Sequence, residues 1–232
     1  MGWNLEQFNA LCISKKLLDC TMYQKALFWK QQKVNFLVLQ SKEVWNNFWQ
    51  EHFWQNNGSI NFQEQKVAIA FKDAQFQSET YIEAVAQNLH SMVDVLCQVI
   101  NQVVLGSRLH EADVDLRKTI EELQKKQSTQ DIVTALEELR DSPEFKYIAA
   151  FVNTIKHRRL LDTEYYGEFG QDKSNIIGIR FLGFEYEKPK KLIEKYDDTF
   201  AETITDIYMQ RIFALIDSVG KATDTYIRHE IS

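Results

Sequence analysis

The sequence predicts an all-α protein: an up-and-down helical bundle with a long spine helix and a small β-like or hairpin insertion near residues 173–187. Three observations carry that prediction. Chain breakers are scarce, with two prolines and eight glycines in 232 residues, and neither type occurs between Gly2 and Gly58 or between Gly58 and Gly106. Stretches of that length favour long helices over many short strands joined by glycine-rich turns. Val67, Phe71, Ala74, Ser78, Tyr81, Val85, Leu89, Met92, Leu96, Val99 and Val103 then follow one another at steps of three or four, the spacing of one helix face. Finally, 44% hydrophobic and 12% aromatic residues supply enough apolar surface for a substantial core.

Residues 4–20 read as a first helix, with Leu5, Phe8, Leu11, Cys12 and Leu18 toward one side. Residues 21–56 are rich in aromatics, and all five tryptophans fall within the first 54 positions. That asymmetry has two readings, bulky core filling or a surface for a partner chain. Leu27, Val34, Leu37, Val44, Phe48 and His52 keep helical spacing; "VNFLVL" (34–39) taken alone also reads as a strand, and helix is the reading taken, with room for a break near Ser41. The "NNGS" run at 56–59 is a turn, and the spine helix follows from about 61 to 105, ended by Gly106. A short helix is expected around Asp113–Leu123, and Ser128 with Asp131 resembles a capping box before Ile132. Ser142, Pro143 and Glu144 then supply an N-cap, a first helical residue and an acidic first turn. Residues 163–191 change character, and "NIIGIRFLGFEYEKP" (175–189) reads as an extended or hairpin excursion. A last amphipathic helix carries Phe200, Ile204, Tyr208, Ile212, Leu215, Val219, Ala222 and Tyr226.

The candidate site lies at the end of "AAFVNTIKHRR" (149–159), where an apolar segment gives way to Asn153, Lys156, His157, Arg158 and Arg159. No charge interrupts Tyr147 to Ile155, so this helix is packed on more than one side, and Asn153 is expected to be half buried with a partner. On the spine, His90, Asp94, Gln98 and Asn101 form a polar line through an apolar segment. Asp94 facing His157 would hold the imidazole in one tautomer. Plainer readings stand beside these. The cations can complement a helix dipole, and His90 with Asp94 can be a local i, i+4 pair.

Other classes of function lack their residues. Three widely spaced cysteines (Cys12, Cys20, Cys97) give neither a disulfide framework nor a metal knuckle, and free buried thiols are expected. The five histidines never pair at ligand spacing, and P-loop, GxGxxG and GxSxG patterns are absent, so no metal and no cofactor are expected. The net charge of −6 argues against coating nucleic acid with the whole surface, leaving a local basic patch. Without a membrane-length apolar run or an export signal, a soluble cytoplasmic protein with no membrane association is expected.

"FVNTIKHRRLL" (151–161) and "NLHSMVDVLCQVIN" (88–101), set in a long helical pattern, resemble the HEPN superfamily, and in particular its bacterial members of unassigned function with an Asn-x-x-Lys-His-Arg element. The resemblance covers roughly residues 60–225 of a single domain, with tryptophan-rich helices over 1–57. It implies a dimeric helical bundle that binds RNA or a nucleotide, often as a metal-independent ribonuclease in bacterial defence or toxin–antitoxin systems. Active members carry Arg-x4–6-His. Here the arginine positions hold Ala150, Phe151 and Val152, a departure that leaves the phosphate grip to Arg158, Arg159 or another helix. The residues themselves then read as a binding module or degenerate nuclease in which Lys156, His157 and Arg158 would act and Asn153, Arg159, His90, Asp94 and Asn101 would bind. A non-catalytic interaction module, an antitoxin or scaffold working through the N-terminal helices, is the alternative, and a bundle that binds a small ligand under the 163–191 excursion is a third reading. A homodimer is expected, because a helix of about 45 residues exceeds the ~17 Å radius of gyration of a compact chain of this length several times over.

Overall fold

The computed structural model describes residues 3–17, 20–56, 59–157, 160–168, 176–188 and 192–230. The chain is mostly helical, with a small antiparallel β insertion late in the sequence. It divides into two compact units: residues 1–32, 88–149 and 208–232 form the first, and residues 33–87 and 150–207 the second.

Helix α1 (Leu5–Ser14) opens on Asn4, whose side chain accepts a hydrogen bond from the Gln7 N–H at 3.0 Å. It closes through Lys16 in the left-handed region, φ 54°, which makes it shorter than the 4–20 expected. Helix α2 (Thr21–His52) runs without a break through "VNFLVL" and Ser41. Helix is thus the outcome at Ser41, whose hydroxyl bonds to Ser78 at 2.7 Å and does not compete for its own backbone.

Helix α3 (Gln65–Val103) is the expected spine, about 58 Å long at roughly 1.5 Å per residue. It ends as the Val104 and Leu105 N–H groups both reach the Ile100 carbonyl and the Ser107 N–H reaches that of Asn101. Gly106 then takes φ +64°, the left-handed turn for which glycine is suited. Helix α4 (Leu116–Leu123) is capped by Asp115, which accepts from the Lys118 N–H at 2.7 Å. Helix α5 (Gln130–Asp141) follows Thr129, whose hydroxyl donates back to the Leu123 and Lys126 carbonyls. The capping box centred on Ser128 is therefore not formed. Helix α6 (Pro143–His157) has the expected cap, with the Phe145 N–H donating to Ser142 Oγ at 3.2 Å.

The core of the first unit contains Phe8, Leu27, Leu89, Met92, Leu96, Ile100, Leu123, Ile132, Leu136, Ile212 and Ile216, all buried. The last helix, α7 (Met209–Glu230), packs against α5 and α1. Trp3 lies against α7 at Gly220, and its backbone N–H donates to the Asp217 carboxylate at 3.1 Å. Cys12, Cys20 and Cys97 are free and buried.

In the second unit the insertion exceeds the expected hairpin near 173–187. Strands β1 (Thr163–Glu168), β2 (Ile176–Phe181) and β5 (Thr199–Phe200) form one antiparallel sheet in the order β1-β2-β5, with Thr163 opposite Phe181 and Arg180 opposite Phe200. Strands β3 (Phe184–Lys188) and β4 (Leu192–Tyr196) form a second ladder, with Phe184 opposite Tyr196. Phe200, expected on the last helix, ends β5 because its backbone pairs with β2. Residues 171–175 and Pro189 lie outside the described residues. After β5 the chain turns helical, with a π-helical segment at Thr203–Tyr208 before α7. Trp45, Trp49, Phe48, Phe71 and Tyr165 gather in an aromatic cluster, with Trp45 and Tyr165 ring centres 5.1 Å apart. Among the described residues no helix is long and apolar enough to cross a membrane.

Candidate functional site

The far end of α6 belongs to the second unit. Ala150, Phe151 and Val152 are buried there, with Phe151 edge-on to Phe181 at 5.1 Å. Thr154 is buried and donates to the Ala150 carbonyl at 2.8 Å, which satisfies its hydroxyl within the helix. This packing fixes the direction in which the last turn emerges. Asn153 is half buried, and its amide has no hydrogen-bond partner among the described residues. Lys156 and His157 are exposed, and no carboxylate among the described residues pairs with either. Lys156 at a helix C-terminus also faces the negative end of its dipole. Arg158 and Arg159 lie outside the described residues.

The polar line on α3 belongs to the first unit, where each member has a local partner. His90 lies parallel to the Phe145 ring, centres 6.0 Å apart, and its Nδ1 is 3.7 Å from Asp94. Gln98 donates to the Glu111 carbonyl at 2.9 Å. Asn101 is 1% exposed; its amide donates to the Leu109 carbonyl at 3.0 Å and accepts from the Leu109 N–H at 3.1 Å. Asn101 and Gln98 thus fasten the connection that leaves the spine. Asp94 and His157 fall in different units, and Asp94 has its contact with His90 on its own helix.

A second feature of the second unit escaped sequence reasoning. A cavity of about 270 Å³ is walled by α2, α3, β2 and the turn that follows β5. Its floor holds Ser41 and Ser78; its rim holds Lys42, Glu202 and Asp206, with Trp45 and Ile179 among the side walls. Lys42 pairs with Asp206 at 2.9 Å, both side chains half exposed. Glu202 is exposed as a residue, yet its carboxylate lies against bare backbone: a Cβ on Gly178 would sit 2.6 Å from it. Desolvation raises the Glu202 pKa; a hydrogen bond from its own backbone N–H opposes that, the nearby charge of Asp206 adds to it, and Lys42 offsets a smaller part. The one sequence signal for this cavity was the pair of serines on apolar faces, Ser41 on α2 and Ser78 in the spine stripe.

Among the described residues no group of three or more His, Cys, Asp or Glu side chains is placed to hold a metal ion. No family model matches this sequence, and no curated protein or solved structure matches it.

Proposed function

We propose that this chain is a HEPN-like helical module, arranged as an up-and-down bundle, that binds RNA or a nucleotide through the end of α6. The observation that carries this reading is the exposure of Lys156 and His157 with no pairing carboxylate among the described residues, in a chain of net charge −6. An unpaired surface ammonium beside an exposed imidazole donor is available to phosphate in an acidic protein, and phosphate contacts dominate nucleic-acid affinity. Arg158 and Arg159 follow directly in the sequence and extend the basic run.

In a catalytic version of this reading, His157 takes the ribose 2′-OH proton or returns one to the leaving oxygen, and Lys156 or Arg158 stabilises the charged phosphorane. The absent Arg-x4–6-His pattern makes binding the primary activity and cleavage the secondary one. Incubating the purified protein with labelled single-stranded RNA in EDTA tests both. The RNA is retained by the protein, and cleavage, where it occurs, disappears in His157→Ala but not in His229→Ala. RNA that is neither bound nor cut contradicts the reading.

A second reading, a non-catalytic module that binds a cognate protein through its N-terminal helices, has separate support. Phe28, Trp29, Phe36 and Leu39 on α2 are 46–61% exposed, an unusual outlay of large apolar side chains on one helix.

A further inference from the structure

We infer that the cavity between α2, α3, β2 and the π-helical turn is a binding site for a small organic monoammonium compound carrying a hydrogen-bond acceptor. The inference is independent of the RNA reading and concerns other residues.

Charge is the first argument. The rim carries one cation, Lys42, and two carboxylates, Glu202 and Asp206. Lys42 is engaged by Asp206, and among the described residues no cation lies within ion-pair distance of Glu202. Glu202 is therefore a carboxylate without an ion-pair partner among the described residues, set on Gly178 where no side chain intrudes, with Lys42 acting on it only from beyond ion-pair distance. A single positive charge completes the site, and two would overcompensate it. Trp45 adds an aromatic wall of the kind that favours a cation.

The floor supplies the second argument, and it rests on different atoms. Ser41 and Ser78 are 6% and 2% exposed, and their hydroxyl oxygens are 2.7 Å apart. Two hydroxyls bring two protons to that contact, and one proton makes the mutual bond. The other has no acceptor among the described residues. A buried donor of this kind calls for an acceptor, and the cavity is where one can enter. The volume of about 270 Å³ lies just below the usual range for drug-sized ligands, which limits the occupant to a small metabolite.

The backbone favours the same location. Glu202, Thr205 and Asp206 lie at i, i+3 and i+4 and turn toward the cavity where the helix widens to π geometry, a distortion common at functional sites.

Saturation-transfer NMR and calorimetry on the full chain test the inference, with glucosamine and tyramine as cationic probes and glucose as the neutral match for glucosamine. Both amines are expected to bind in the millimolar range or tighter, and glucose is not. Glu202→Gln lowers amine affinity by at least about tenfold. Gly178→Ala, which displaces the carboxylate without removing it, also weakens binding, and Ser78→Ala weakens glucosamine. His157→Ala leaves amine binding unchanged, which separates failure here from failure of the RNA site. The inference is overturned if neither amine binds, if glucose binds as well as glucosamine, or if Glu202→Gln, still folded by circular dichroism, binds the amines like wild type.

Discussion

Asn101 and Asn153 show how differently two amides on apolar helix faces can be used. Asn101 is buried and spends both ends of its amide on Leu109, so it secures the turn out of the spine. Replacing it with alanine leaves the Leu109 N–H and carbonyl without these partners and should cost about 1–3 kcal/mol. A urea midpoint shift, with unchanged slope, measures it. Asn153 looked similar in the sequence, yet it is half buried and has no such partner among the described residues. A helical wheel gives direction but not what stands opposite, and only the fold distinguishes the two. Glu202 carries a pH prediction. Its folded pKa is raised above the ordinary glutamate value, chiefly by desolvation, so its contribution to stability is present in acid and is lost as pH rises through the folded pKa. Glu202→Gln should therefore melt at or above the wild-type temperature at pH 7, with the difference vanishing below the ordinary glutamate pKa of about 4.3. A variant that melts lower at pH 7 would show the ionised carboxylate to be stabilising.

At the scale of elements, the legible parts were those with local signals. The spine declared itself by a long three-four stripe, and α6 by Ser142, Pro143 and Glu144 at its start. The β insertion was half legible: residue types announced extended chain, but its extent to Phe200 depends on pairing between β2 and β5, which are distant in sequence. The π-helical segment at Thr203–Tyr208 had no sequence signal at all, because its residues keep ordinary helical spacing. The cavity was nearly as hard to see, since its lining comes from four separated stretches and only Ser41 and Ser78 on apolar faces hinted at it. Helix α7 offers a test of packing against propensity. In an exposed helix Gly→Ala stabilises by roughly 0.5–1 kcal/mol. At Gly220 a Cβ would sit 2.2 Å from the Trp3 indole, so Gly220→Ala should reverse that sign and destabilise by about 1–3 kcal/mol. Thermal melts of Gly220→Ala in wild type and in Trp3→Ala separate the two effects. The penalty should shrink when the indole is gone.

For the whole molecule, the exposed apolar side chains identify surface that association would cover. Phe28, Trp29, Phe36 and Leu39 on α2 and Ile69 and Phe76 on α3 are each at least 46% exposed. The tryptophans divide between the two sequence readings: Trp3, Trp45 and Trp49 pack inward, whereas Trp29 and Trp54 face solvent. A homodimer would bury such side chains on both copies at once. Light scattering at micromolar concentration should return about twice the 27.3 kDa of one chain. A steady monomer mass would remove the dimer and direct attention to a cognate protein partner.

In the proposed function the end of α6 takes the phosphates of RNA. Fluorescence anisotropy with a labelled single-stranded RNA, titrated across a salt series, addresses it most directly. Binding is expected to weaken as salt rises, and a Lys156→Ala, His157→Ala double variant is expected to bind less tightly. Its salt slope should also fall by about 0.7 for each phosphate that the variant no longer neutralises. An anisotropy that does not change on adding protein, or a double variant that matches wild type at every salt concentration, would contradict it.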